Sequence, residues 1–411
     1  MKKVYLLLLL PAIILVSCQQ SAKKEQATAI DSVATGDGTF AYDLKFLKAR
    51  DSVIVLKSAD GKAQVIVSPK YQAKVFTSTA DGIDGKSFGW INYKTFDAKP
   101  DEHMNAYGGE DRLWLGPEGG KFSLFFKPGA QMDFANWHTP PAIDKESWDL
   151  VSADSNAVFM SKTTEMLNYA NTLLKIKLER NVKLLPIGDI HKLLNIRLGD
   201  KVNSVGFSTQ NTIINNGGTE WNKTTGAPCL WNLDMFSPGT KMVIVIPYHE
   251  HVTGKVATTD YFGRIPFDRI KYENGVILFK ADGESRGKLG LPPLRAKNMA
   301  GSYDPENKVL TITMFDLNNY GLYLNQEWKT DTDPFLGDAV NAYNDGILPT
   351  GGQLGPFYEI ESVSPAAFLK PGAKLTHNHS VFHFTGDEEQ LNDIAMKTLG
   401  ISLKDIQAAF K

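Results

Sequence analysis

The chain reads as all-β: a large antiparallel β-sandwich with a short helical C-terminus. Three observations predict this. Apolar and polar residues alternate with a period of two in segment after segment between Val53 and Phe384. Gly, Asn, Asp and Pro separate these short strand candidates throughout. Helical spacing surfaces only after Asp387, where Leu391, Ile394, Ala395 and Leu399 fall on one face.

Taken in order, Val53–Leu56 and Ala63–Val67 flank Asp60-Gly61, a pair suited to a tight hairpin turn. Leu174, Ile176 and Leu178 alternate with Lys175, Lys177 and Glu179, as in a half-buried strand. Met242 to Ile246 is apolar without interruption, which predicts a strand covered on both faces. Leu310, Ile312 and Met314 alternate with Thr311 and Thr313, again the pattern of a half-buried strand. At the end, Ser402 stands three residues before Asp405 in an arrangement like a capping box. No repeat of fixed period is present, and no strong linker follows Gly38.

Upstream of the sandwich the sequence changes character. Lys2 and Lys3 precede an apolar run from Leu6 to Val16, interrupted by Pro11 and too short to span a bilayer. Leu15-Val16-Ser17-Cys18 at its end resembles the bacterial lipobox. The expectation is a signal peptide over 1–17, cleavage before Cys18 and lipidation of that cysteine. Residues 18–39, polar and rich in Ser, Ala, Lys and Thr, then form a flexible tether, and 40–411 a single sandwich domain. A lipid-anchored protein of the bacterial envelope follows, with the membrane as a partner through Cys18. Gln19 to Lys24 lacks an acidic export tag, which favours the periplasmic side of the outer membrane.

Of 411 residues 42% are apolar and 10% aromatic, enough for a substantial core, and the formal net charge of −2 offers no nucleic-acid signature. With Cys18 lipidated, Cys229 is alone and reads as a small buried apolar residue. No cofactor is implied.

The densest polar and aromatic cluster runs from His103 to Gly120 and contains Glu110, Arg112, Trp114 and Glu118 between two Gly pairs. A guanidinium fork, acceptor carboxylates and an indole face are the groups a sugar needs. A second cluster, Gly355 to Pro365, holds Tyr358-Glu359-Ile360-Glu361. Read as a strand, it places Glu359 and Glu361 side by side on one face. Paired carboxylates raise one another's pKa, as a general base near neutrality requires. Histidines come as His249-x-His251 and His377-x-His379, with His383 beyond. Neither pair belongs to a specific metal signature, so no metal site is assigned and a hydrogen-bonding role in a polar cleft is favoured. Asn211 to Trp231, Lys288 to Arg295 and Asn341 to Gly346 read as loops that could border such a cleft.

Three stretches carry a family resemblance: Ala106-Tyr107-Gly108-Gly109 through Trp114 to Gly119, Val205 to Phe236 with Asn215-Asn216-Gly217 and Trp231, and Tyr358 to His377 with Pro371-Gly372. Together they resemble the galactose mutarotase-like, or aldose 1-epimerase-like, superfamily, within a group of bacterial lipoproteins. The resemblance implies a β-supersandwich whose concave sheet binds a sugar. It implies a Glu as base, here Glu361, and a His as acid to the ring oxygen. The family's central His is absent, since Leu230-Trp231-Asn232-Leu233 stands in its place, so His103 or His377 would have to serve. Glu110, Arg112, Trp114, Glu118, Trp231, Glu359 and His379 are the expected sugar contacts. Two functions follow: an epimerase-like enzyme, or a carbohydrate-binding lipoprotein that has lost the acid. An imidazole near Glu361 separates them.

Overall fold

The backbone alternation assembles into three antiparallel sheets in a computed structural model that describes residues 36–348 and 351–411. The signal peptide, Cys18 and the tether up to residue 35 lie outside the described residues. Among the described residues no helix is long and apolar enough to cross a membrane.

The largest sheet has ten strands, in the spatial order Ile270–Glu273, Val276–Lys280, Val243–Pro247, Met299–Asp304, Val309–Phe315, Lys374–Gly386, Val202–Asn215, Leu173–Leu184, Ala157–Leu167 and Asp149–Ala153. A five-stranded sheet runs Gly287–Leu291, Val340–Asn344, Tyr358–Val363, Cys229–Phe236 and Arg112–Gly116. It lies against the large sheet: Ser362, Asp234 and Asn232 reach across to His379 and Asn211. A three-stranded sheet, Ile54–Lys57, Gln64–Ser68 and Lys74–Thr79, joins this body by a backbone bridge from Val75 to Asp111.

Burial explains which patterns were legible. Leu174, Ile176 and Leu178 face the core while Leu173 and Lys175 face solvent, as the alternation requires. Met242 to Ile246 is covered on both sides: Ile244 and Ile246 pack in the inter-sheet core, and Val243 and Val245 pack with the C-terminal helices. The same helices correct the reading of Val309–Phe315. Leu310 and Ile312 lie beneath them, but Thr311 and Thr313 are also buried, on the side facing the small sheet. All of that strand but Met314 is buried, on both faces. Its hydroxyls find partners inside, Thr311 with His383 Nδ1 at 2.9 Å.

Local chemistry sets the ends of elements. The Ser402 hydroxyl caps Leu403–Ala408 by accepting from the Asp405 amide at 3.1 Å, and Asp387 caps Glu388–Thr398 through the Gln390 amide. Leu391, Ile394 and Ala395 form the buried face of the latter helix. The first hairpin pairs Lys57 with Gln64, so its connection is a six-residue loop rather than a two-residue turn. Asp60 organises that loop, accepting from the Ser58 hydroxyl and the Lys62 amide. Two helices were not read from the sequence: Phe40–Lys48, capped by Thr39, and Ile187–Leu194. Cys229 is buried, as expected, and burial pushes its thiol up to about 12.

Candidate functional site

Register decides what shares a face of the five-stranded sheet. Arg112 pairs with Leu233, Leu233 with Glu361, and Glu361 with Asn341. Met235 pairs with Glu359, Glu359 with Tyr343, and Tyr343 with Lys288. Trp114 pairs with Trp231. Cross-strand partners project to the same side. Arg112, Trp114, Trp231, Glu359, Glu361, Tyr343 and Lys288 therefore rise from one face, away from the large sheet. Arg112 and Glu361, 249 residues apart in sequence, stand two strands apart.

Two ion pairs cross this face. Arg112 Nη2 donates to Glu359 Oε1 at 2.5 Å, and Lys288 Nζ to Glu361 Oε2 at 3.0 Å. Trp231 Nε1 also donates to Glu361 Oε2, at 2.8 Å, leaving Oε1 buried with no partner. The cations lie over indoles: the Arg112 guanidinium is 5.0 Å from the Trp114 ring centre, and Lys288 Nζ is 4.7 Å from that of Trp231. Burial alone would push Lys288 down, but Glu361, Glu118 and Glu359 outweigh it and hold the ammonium above the ordinary lysine range. For Glu359 burial raises the pKa, opposed by Arg112 and reinforced by Glu361. Burial likewise raises Glu118, against the pull of Lys288. Carboxyls displaced toward neutrality beside cations can exchange protons near physiological pH.

Above this floor is a cavity in two adjoining lobes, of about 460 Å³ and about 140 Å³. The smaller lies over Arg112, Trp114, Trp231 and Glu359. The larger lies over Tyr261, Gln326, Glu327 and Asp345. Glu118, Arg286, Lys288, Phe134, Phe262, Trp328 and Leu354 border both. The glycines act on backbone rather than on a ligand. A Cβ on Gly119 would sit 2.3 Å from the Glu327 carbonyl oxygen, so its absence lets the loop bearing Trp328 close against the Pro117 turn. Gly108, with φ +83°, approaches the Trp90 carbonyl in the same way. His103 lines the smaller lobe. Its Nδ1 lies 2.6 Å from the Trp137 carbonyl oxygen, which can only accept, so Nδ1 carries the proton.

Glu361 lies beneath Lys288 and lines neither lobe, and three further expected residues lie elsewhere. Glu110, His377 and His379 are inside the sandwich, between the sheets, and do not line the cavity. Glu110 Oε1 accepts from Ser78 at 2.7 Å and meets His383 Nε2 at 2.9 Å. His377 and His379 both contact the Ser362 hydroxyl at 2.9 Å, and His379 Nε2 meets Asp234 Oδ2 at 2.8 Å. Ser362 is next to Glu361 in its strand and points to the opposite face. His377 therefore cannot serve as the acid partner of Glu361. Asp234, His379 and Ser362 form an Asp-His-Ser chain, but all three are fully buried and unreachable by substrate.

This seam has a pH signature. Burial and the neighbouring His379 push His377 down to about 3 from 6.5. Below pH 6.5 the unfolded chain then binds a proton that the folded chain refuses. Stability should fall with acid across that window, by up to about 1.4 kcal/mol per pH unit from this group. Burial also lowers His379, but Asp234 more than restores it, so its contribution has the opposite sign and is lost as pH rises. His377→Gln removes the first slope. Urea midpoints at pH 7 and pH 5 should show the gap between wild type and His377→Gln narrowing at the lower pH; a constant gap would refute the assignment.

The sequence reading missed Lys288, Arg286, Tyr261, Tyr343 and the aromatic wall. Lys288 and Tyr343 belong to strands, Gly287–Leu291 and Val340–Asn344, where loops were expected. The one local signal is the alternation in Gly287-Lys288-Leu289-Gly290-Leu291, which sets a lysine opposite buried leucines. Among the described residues no three His, Cys, Asp or Glu side chains converge as a metal site.

The fold and this cleft define an all-β protein with an open, ion-paired and aromatic pocket on its smaller sheet. By sequence the chain belongs to DUF6786, a family of unknown function whose profile matches residues 38–410. No curated protein matches it. In fold it is similar to the Slr1438 protein of Synechocystis sp. PCC 6803 at 12% identity (TM-score 0.49, covering 82% of this chain and 97% of that one). It is similar to a galactose mutarotase-like protein of Lactobacillus casei ATCC 334 at 13% identity (TM-score 0.47, 81% and 100%). A galactose mutarotase related enzyme of Lactobacillus acidophilus is similar at 10% identity (TM-score 0.42, 82% and 97%).

Proposed function

We propose that this cleft binds a carbohydrate and that the protein is a carbohydrate-binding envelope lipoprotein. The observation that carries the reading is the floor itself. Arg112, Glu359 and Lys288 line the cavity and supply donors and an acceptor, Lys288 held from beneath by the buried Glu361, with the Trp114 and Trp231 indoles beside them. Polar pairs suit vicinal hydroxyls, and indole faces suit the C–H face of a pyranose. Binding rather than turnover is favoured by Glu361: it is fully buried, and its hydrogen bonds go to Lys288 and Trp231, not to an imidazole.

A second reading, epimerase-like proton transfer, rests on Glu359. This carboxyl borders the cavity, is raised by burial, and shares the smaller lobe with His103, whose Nε2 lies 3.9 Å from Glu102 Oε1. In that reading Glu359, rather than Glu361, takes the proton of the anomeric hydroxyl while His103 in its protonated form gives one to the ring oxygen, and both return on closure.

Isothermal titration against mono- and oligosaccharides, with polarimetry of anomer exchange, tests both. Arg112→Ala should lose about 1.5–3 kcal/mol of sugar binding, the worth of a charge-assisted hydrogen bond. Binding of no saccharide on the panel overturns the proposal, and anomer exchange above the buffer rate replaces it with the second reading. The lipoprotein part rests on Leu15-Val16-Ser17-Cys18. Mass spectrometry of membrane-extracted protein should find acyl chains on Cys18, and a free thiol there would refute it.

A further inference from the structure

The cavity's division bears on what kind of carbohydrate fits, and this step rests on the sugar-binding reading of the same cleft. The two lobes are each furnished as a site. The smaller has the Arg112–Glu359 pair with Trp114 and Trp231. The larger has Tyr261, whose hydroxyl donates to Asp338 Oδ2 at 2.7 Å, together with Gln326, whose buried Nε2 has no partner. A buried amide N–H without an acceptor is costly unless a ligand or water supplies one.

Arg286 stands at the junction, bordering both lobes. Its guanidinium lies 3.8 Å from the centre of the Phe262 ring, and its Nε donates to the Tyr343 hydroxyl at 3.2 Å. Ring and hydroxyl fix the plane of the group. Unlike Arg112 and Lys288, Arg286 has no carboxylate in ion-pair contact among the described residues, so its terminal nitrogens remain available to a ligand. At the mouth, Phe134 is 60% exposed and Leu354 42% exposed, and both border the two lobes. Exposed apolar side chains continuous with a largely apolar cavity mark a surface that a ligand covers.

From this arrangement we infer that the cleft takes a glycan chain, one sugar residue in each lobe, with Arg286 donating to the oxygens around the linkage between them. A monosaccharide fills one lobe and leaves Gln326 or the Arg112–Glu359 pair unused. A disaccharide engages both, and a longer chain passes out over Phe134.

Titration of the full chain with glucose, galactose and mannose and with their own disaccharides and trisaccharides (maltose, cellobiose, galactobiose and mannobiose series) tests this. In the series that binds, affinity should rise at least tenfold from monosaccharide to disaccharide. Arg286→Ala and, separately, Gln326→Ala should each reduce that ratio at least threefold. Phe134→Ala, at an exposed rim position, should reduce the ratio of trisaccharide to disaccharide affinity. Equal affinity for monosaccharide and disaccharide overturns the two-residue site while leaving sugar binding intact. A ratio unmoved by both Arg286→Ala and Gln326→Ala also overturns it. Binding of no member of any series overturns the sugar reading together with this one.

Discussion

Replacing Arg180 with Met should cost about 3–5 kcal/mol of folding stability, the usual consequence of removing one partner from a buried ion pair. Arg180 is fully buried in the ten-stranded sheet, and its Nη2 pairs with Asp111 Oδ1 at 3.2 Å. It also donates to the Ala73 carbonyl at 2.9 Å and to Asn211 Oδ1 at 2.6 Å, tying three segments together. Burial would raise the Asp111 pKa, but Arg180, His379, Asn232 and Thr209 together hold it below the ordinary range. Without the guanidinium, Asp111 is a buried charge with only neutral hydrogen bonds from Asn232 and Thr209. Adding Asp111→Leu should return much of the loss, because the orphaned charge goes too. A shift in the urea midpoint equivalent to less than about 1 kcal/mol for Arg180→Met would refute the account.

Lys288→Met should be of similar size, about 3–5 kcal/mol, for the same physical reason in a different place. It strands Glu361, fully buried, with the Trp231 N–H as its one remaining donor. One result distinguishes this from a simple packing defect. Glu361→Gln added to Lys288→Met should restore part of the stability, since the amide carries no charge. If Glu361→Gln instead deepens the loss, the ion pair is not what holds this face together.

The parts of the fold that could be read in advance are those in which one neighbourhood decides burial. Leu173–Leu184 alternates because one face meets the core and the other meets water. The C-terminal helices were visible through their apolar stripe and the Ser402 cap. Phe40–Lys48 escaped notice because nine residues give the stripe of Phe40, Asp43 and Leu47 only two turns, and a polar residue sits in it. Val340–Asn344 was hidden because Asn341 and Asn344 are buried, one on each face, which erases the contrast between inside and outside. The site divides along similar lines. Arg112, Trp114, Glu118 and Glu359 stand out by local concentration and Trp231 through the family resemblance, and all five border one cavity. Glu110 stands in the same dense segment yet turns inside, and His377 and His379 join the group by chemistry alone. The side to which a strand turns its odd-numbered residues depends on a partner sheet remote in sequence, and no local pattern records it.

The polar seam between the sheets has a consequence for how the chain assembles. In Lys374–Gly386 the odd-numbered His377, His379 and His383 face the small sheet, while Phe382 and Phe384 face the helices. A slip of one residue against Val202–Asn215 would exchange the two sets. Asp234 and Glu110 would then face phenyl rings, and imidazoles would be pressed into an apolar layer. In a purely hydrophobic sandwich the same slip would trade one greasy surface for another at modest cost. Here it strands two buried carboxylates at once, so the histidines act as a lock that admits a single alignment of the longest strands.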